Sequence, residues 1–159
     1  MIKWIKNNQK MHYNLYIHTV NLGEDMYKLT QIEGIGPKFA AMLKQAGIEN
    51  QDELLHACSS RRGRLKLAEQ TGISHKLILK WTNQADLARV NGISEEYAEL
   101  LEKAGVDSIP ELAHRNPEHL HSELKEKNDV SHLVRRTPGL PQVVTWVEEA
   151  KKLPKVVYH

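Results

Sequence analysis

The chain has 159 residues, 40% of them apolar and 26% charged, with a formal net charge of +2 and a single cysteine. That length holds one domain or two small ones with a real core. The composition excludes an internal disulfide and fits a reducing cytoplasm; no apolar run approaches the ~20 residues of a membrane span, and Met1–Lys10 lacks the apolar centre of a secretory leader.

Met1–Lys28 stands apart as an N-terminal extension. Tyr13, Leu15 and Ile17 alternate with Asn14, Tyr16 and His18, a weak strand pattern that a mobile arm would match as well. Leu29–Ile32 reads as a short helix entering a tight turn at Gly34-Ile35-Gly36-Pro37-Lys38. The two glycines allow a hairpin too tight for side chains, with positive φ available at either. Pro37 suits the first turn of a helix, expected over Pro37–Gln45 and closed by Gly47. Such a helix start presents bare backbone N–H groups, a natural cradle for a phosphate oxygen, and Lys38 adds a positive charge beside it. Asn50-Gln51-Asp52-Glu53 has the form of a capping box and opens a connector helix through Ala57. A helix over Arg64–Gln70 has Leu65, Leu67 and Ala68 available for burial. Thr71-Gly72-Ile73-Ser74 makes a second hairpin, and Ser74 caps a helix to about Gln84 that places Leu77, Ile78 and Trp81 on one face.

Much of this stretch recurs 58 residues later. At that offset Leu29 aligns with Leu87, Ile32 with Val90, Gly34-Ile35 with Gly92-Ile93, Phe39 with Tyr97, Leu43 with Leu101 and Ala46-Gly47 with Ala104-Gly105. The pattern reads as one supersecondary unit used twice. Ser108-Ile109-Pro110-Glu111 repeats the connector cap, and Asn116-Pro117 opens a helix carrying Leu120 and Leu124 and ending at Asn128-Asp129. A longer connection, Val130–Thr137, leads through Pro138-Gly139-Leu140-Pro141 to a last helix ending near Leu153. Trp81-x-x-x-Ala85 aligns with Trp146-x-x-x-Ala150 at an offset of 65, so the second unit carries a net insertion of seven residues. Both tryptophans read as core anchors. The expected organisation is an extension over 1–28, units over 29–85 and 86–153, and a tail over 154–159.

The core Ile32-x-Gly34-Ile35-Gly36-x-x-x-Ala40-x-x-Leu43 resembles the helix-hairpin-helix motif of proteins that bind DNA without sequence preference. Two such motifs joined by a connector look like the paired, five-helix form of that fold, similar to a SAM domain. Over Leu29–Leu153 the chain also resembles a bacterial family of uncharacterised proteins built from tandem helix-hairpin-helix units, which shares the Ala-Gly-Ile helix ends, Leu54-Leu55 and the Pro141–Trp146 spacing. The resemblance implies an all-α fold of two pseudo-repeated helix-hairpin-helix pairs. It also implies contact with the backbone of duplex DNA through hairpin amides, here at Gly34, Ile35 and Gly36 with Lys38, and more weakly at Gly72 and Gly139.

Several residues depart from that pattern. In the second unit Ser94, Glu95 and Glu96 replace Gly36, Pro37 and Lys38, and the hairpins at Gly72 and Gly139 each have one glycine. Residues 29–85 carry a net charge of +3 and residues 86–153 a net of −4. Arg61, Arg62, Arg64 and Lys66 precede the Gly72 hairpin; they read either as a solvated basic surface or as a stretch lying along a phosphate backbone. A whole-chain net of +2 does not by itself demand strong DNA binding.

No phosphate loop, nucleophile motif or carboxylate cluster argues for an enzyme, a cofactor or a small-molecule substrate. His114, His119, His121 and His132 lack partners at structural metal spacing, and Cys58 near His56 reads as a half-buried thiol. Two functions stand. One is a DNA-backbone-binding module; the other is a protein-interaction or self-assembly scaffold, its oppositely charged units meeting head to tail in a homo-oligomer.

Overall fold

The computed structural model describes residues 28–159, and its fold is all-helical there. The expectation of a weak strand or mobile arm over 1–28 falls, apart from Lys28, outside the described residues. A 3₁₀ turn, Leu29–Gln31, leads into α1, Pro37–Gln45; then come α2, Gln51–Cys58, α3, Arg61–Thr71, and α4, His75–Leu87. The second half follows with α5, Glu95–Lys103, α6, Ile109–His114, α7, Pro117–Ser131, and α8, Leu140–Lys152. No strand occurs among the described residues; Lys28 and Asn50 form one isolated antiparallel bridge.

Local chemistry accounts for the helix ends. Asn50, Ser60, Ser74, Ser94, Ser108 and Asn116 each accept a hydrogen bond from a first-turn N–H, satisfying one of the donors that every helix start leaves over. At the end of α1, Ile48 N donates to Leu43 O at 2.9 Å and Gly47 N to Lys44 O at 3.0 Å, with Gly47 at φ +86°. At the end of α5, Val106 N donates to Leu101 O and Gly105 N to Glu102 O at the same distances, with Gly105 at φ +85°. Both are Schellman closures, in which a left-handed glycine lets the chain reverse onto the last carbonyls.

Two apolar clusters form the interior. One joins Leu29, Ile32, Leu43, Leu54, Cys58, Ile78, Trp81 and Ala85; the other joins Leu87, Val90, Leu101, Leu112, Leu124, Val143, Trp146 and Ala150. Trp81 is 0% exposed and Trp146 1%, so both are core anchors as expected. Phe39 meets Trp81 edge-on at 5.1 Å, and Tyr97 meets Trp146 tilted at 5.3 Å. The second half of α4 lies buried from Trp81 through Leu87, and α4 packs against α2, α3 and α5.

Beside these agreements the structure corrects four details. The basic helix begins at Arg61 rather than Arg64, because Ser60 caps it by accepting from Gly63 N at 3.0 Å. Within it Leu65 is 46% exposed while Arg64 is 1% exposed, so the expected burial of Leu65 is replaced by that of its charged neighbour. Helix α4 continues past Gln84 to Leu87. Helix α7 continues past Asn128 to Ser131, and Asn128 turns inward: its Nδ2 donates to Val134 O at 2.9 Å and its Oδ1 accepts from Val134 N at 3.0 Å. That pair pins the inserted segment against the second cluster.

The C-terminal residues return to the first half. Val157 is buried in the first cluster, Tyr158 N donates to Ser59 O at 2.7 Å, and Arg64 Nη2 donates to Tyr158 O at 3.0 Å. Close by, the buried Asp86 carboxylate takes Arg89 Nη1 at 2.6 Å and Ile109 N at 3.1 Å, while Arg89 Nη2 reaches Pro154 O. One carboxylate thus ties the end of α4 to the start of α6 and, through Arg89, to the tail.

Candidate nucleic-acid interface

The Gly34 turn is held from below. Ile32 and Ile35 are buried, and Ile35 N donates to Ile32 O at 3.0 Å. Gly34 sits at φ +88°, and a Cβ there would lie 3.3 Å from Trp81 Nε1, so both backbone conformation and space favour glycine. Gly36 is different. Its backbone is extended, φ −84° and ψ −176°, and a Cβ would meet nothing within 4 Å. Only one of the two glycines uses positive φ; the other is a bare N-cap facing open space.

That bare cap distinguishes α1. No side chain accepts from its first turn, Pro37 occupies the first position, and the N–H groups of Lys38 and Phe39 are those a helix start leaves unpaired. Gly34, Gly36, Pro37 and Lys38 are all exposed. Helix α8 shares the arrangement: Gly139 is its N-cap without a side-chain bond, and Pro141 stands in the first turn. At the Gly72 hairpin, by contrast, Ser74 Oγ already accepts from Leu77 N at 3.2 Å, which leaves fewer donors on offer. Ser94 Oγ fills the same role for Tyr97 N at the Gly92 hairpin, Glu95 and Glu96 following.

The basic stretch divides. Arg61, Arg62 and Lys66 are exposed on α3, with Arg62 and Lys66 one turn apart on the same face. Arg64 is not available to a phosphate: its guanidinium donates to Cys58 O at 2.9 Å, Ser59 O at 3.5 Å and Tyr158 O at 3.0 Å. Three carbonyls offset the cost of its burial, and the candidate set is corrected by its removal. Two arginines at the start of α3, with no acid in its first turn, oppose the helix dipole.

A basic feature not foreseen from the pattern lies in the insertion. His132 takes a left-handed backbone, φ 51°, and Arg135 and Arg136 stand exposed just before the bare start of α8. With Ser94, Glu96 and Tyr97 they line an open groove of 870 Å³, into which Tyr97 leans, its hydroxyl donating to Arg136 O at 3.1 Å. The Arg135-Arg136 pair was visible in the sequence, but it fell within a connection read as a simple loop. The Asn128 clamp on Val134 and the Tyr97 hydroxyl on Arg136 O show that it is positioned.

Acidic groups gather between the two turns. Glu95's carboxyl is pushed up by burial and then by the charges of Glu33, Glu96 and Glu99, so the Gly34 turn and the start of α5 lie within electrostatic reach of each other. Among the described residues no group of three His, Cys, Asp or Glu side chains is placed to hold a metal ion. Cys58 is fully buried, its thiol pushed up to about 11 by burial, against the opposing effects of Thr82 and Arg64. No described helix is long and apolar enough to cross a membrane.

A match to the family described as Domain of unknown function (DUF4332) covers residues 33–153. The chain belongs to the DUF4332 family. The matched span begins one residue before Gly34 and ends at Leu153, so it takes in both bare helix starts, the exposed side of α3 and the Arg135-Arg136 segment of this DUF4332 chain. No curated protein and no solved structure matches the chain.

Proposed function

We propose that this DUF4332 chain is two copies of one helix-hairpin-helix unit, and that it binds the phosphate backbone of duplex DNA without sequence preference and without catalysis. The repeat reading is supported by the shared Schellman closures after Leu43 and Leu101, by Gly34 and Gly92 at φ +88° and +87°, and by the tryptophan that stands 3.3 Å from a Cβ at each. The binding reading is carried by one observation: Gly36 leaves the first turn of α1 uncapped, outward-facing and beside the exposed Lys38. Gly139 with Arg135 and Arg136 offers a second contact of the same kind. Such contacts read shape and charge rather than bases.

Fluorescence anisotropy of labelled duplexes tests this. Duplexes of unrelated sequence should bind alike, and affinity should fall linearly on a logarithmic salt scale. Absence of binding at about 50 mM salt, where phosphate contacts are strongest, would remove the reading.

The scaffold reading has its own support in the crowding of Glu33, Glu95, Glu96 and Glu99, opposite in sign to the exposed Arg61, Arg62 and Lys66. Contact between those faces in different copies would be heterologous and able to close into rings. Sedimentation velocity should then show an oligomer that dissociates as salt rises and exposed charges are screened beyond ~8 Å. A monomer at every salt concentration would eliminate it.

A further inference from the structure

Between the Gly34 turn and the start of α5 lies a cavity of 330 Å³, at the lower end of the roughly 300–1,000 Å³ of ligand pockets. Ile32, Ala88 and Ile93 give it aliphatic walls, and Gln84, Ser94 and Glu95 give it polar ends. Gln84 is 2% exposed. Its Nε2 donates to Glu102 Oε2 at 3.4 Å, while its Oε1 is buried without any hydrogen-bond partner. An amide oxygen left this way is costly, and a donor placed in the cavity would relieve it.

Among the described residues lining the cavity, the charged one is acidic. Glu95 lines it, and Glu33, Glu96 and Glu99 add negative potential at its carboxylate. Gln84 and Glu95 therefore offer acceptors to an occupant, and aliphatic carbon meets it along the walls. The described residues hold no metal-binding group of three ligands, so a bare ion finds no coordination shell here.

We infer that this cavity binds an organic cation on a short aliphatic stem, an alkyl guanidinium or alkyl ammonium, whose head donates to Gln84 Oε1 and pairs with Glu95. The stem lies against Ile32, Ala88 and Ile93. A guanidinium suits the site best, because its planar fork of five donors can serve the amide oxygen and the carboxylate together. The same chemistry reaches the cavity either as a free small molecule or at the tip of an arginine on a partner peptide. The site is separate from the bare start of α1 and does not depend on duplex binding.

Isothermal titration of the full chain tests it with three probes: butylguanidine, its neutral isostere butylurea, and a capped Gly-Arg-Gly peptide. Butylguanidine should bind at millimolar or lower concentration and butylurea should not. Peptide binding as tight as butylguanidine assigns the site to a partner's arginine; butylguanidine binding alone assigns it to a free cation. Glu95→Gln, a change at an exposed position, should weaken butylguanidine at least tenfold. Gln84→Met, which removes the oxygen at similar volume, should do the same in protein whose thermal melt stays cooperative. Equal responses to butylguanidine and butylurea, or undiminished butylguanidine binding by Glu95→Gln, would overturn the inference. Duplex affinity measured on Glu95→Gln separates the two sites, since loss of butylguanidine with retained DNA binding leaves the phosphate contacts standing.

Discussion

A methyl group added to Gly63 would overlap the Ala57 carbonyl oxygen, whereas one added to Gly36 would meet no atom within 4 Å. Gly63 is therefore a packing residue, letting the start of α3 cross close over the end of α2. Gly63→Ala should cost about 1–3 kcal/mol, as overpacking does, read as a lower denaturant midpoint. Gly36→Ser should leave stability unchanged or raise it by a few tenths of a kcal/mol, since serine supplies the missing cap. The glycine at 36 then matters to what the surface offers, not to how the chain folds. Cys58 makes a second residue-scale case. Burial raises its thiol from 9.0 to about 11, so the protonated form is favoured in the folded state. Its contribution to stability is complete below pH 9 and is lost as pH rises through about 11. Native protein at neutral pH should resist iodoacetamide until denaturant is added; rapid alkylation without denaturant would contradict that burial.

Among the elements, the junction at Asp86 carries the sharpest expectation. Its side chain is 1% exposed and that of Arg89 6%, and the carboxylate also holds the first amide of α6. Removing it leaves a guanidinium and an N–H short of an acceptor, so Asp86→Ala should cost about 3–5 kcal/mol. Chemical denaturation of the variant checks this. Elements were legible in the sequence where local chemistry sets them. Pro37 and Gly47 bracket α1, Asn50 caps α2, and the tryptophan spacing marked the buried face of α4. What was not legible rests on contacts made outside the helix concerned. Arg64 is buried against carbonyls of Cys58 and Ser59 before α3 and of Tyr158 far along the chain, and nothing within α3 signals that. Asn128 resembled a helix stop because asparagine often is one; its partner Val134 lay in a segment without periodicity. Of the candidate site, the Gly34–Lys38 turn could be read directly, whereas the placement of Arg135 and Arg136 required the clamp.

At the scale of the whole molecule, the question is whether a chain of net charge +2 can hold a polyanion. Net charge decides little here, because the charges are sorted: exposed Arg61, Arg62 and Lys66 on α3, exposed Arg135 and Arg136 before α8, and acids crowded near α5. At the bare helix starts a duplex would meet backbone amides beside Lys38 and beside Arg135 and Arg136. This yields a ranked set of variants. Gly36→Glu, which the open space around that residue accommodates without distortion, places a carboxylate over the α1 amides and should abolish binding. Lys38→Ala should weaken binding modestly and lower the salt slope by about one unit, and Arg135→Ala with Arg136→Ala by about two. Lys44→Ala, at the far end of α1 and 3.8 Å from Glu49, removes the same charge away from the contact and should leave affinity unchanged. Arg64→Ala should lower the melting temperature, since its three carbonyl partners are buried or half-buried structure rather than a ligand surface. If Lys44→Ala and Lys38→Ala lower affinity equally, binding is a diffuse effect of charge and the hairpin amides have no part in it. If Gly36→Glu alone abolishes it, the first turn of α1 is where the phosphate sits.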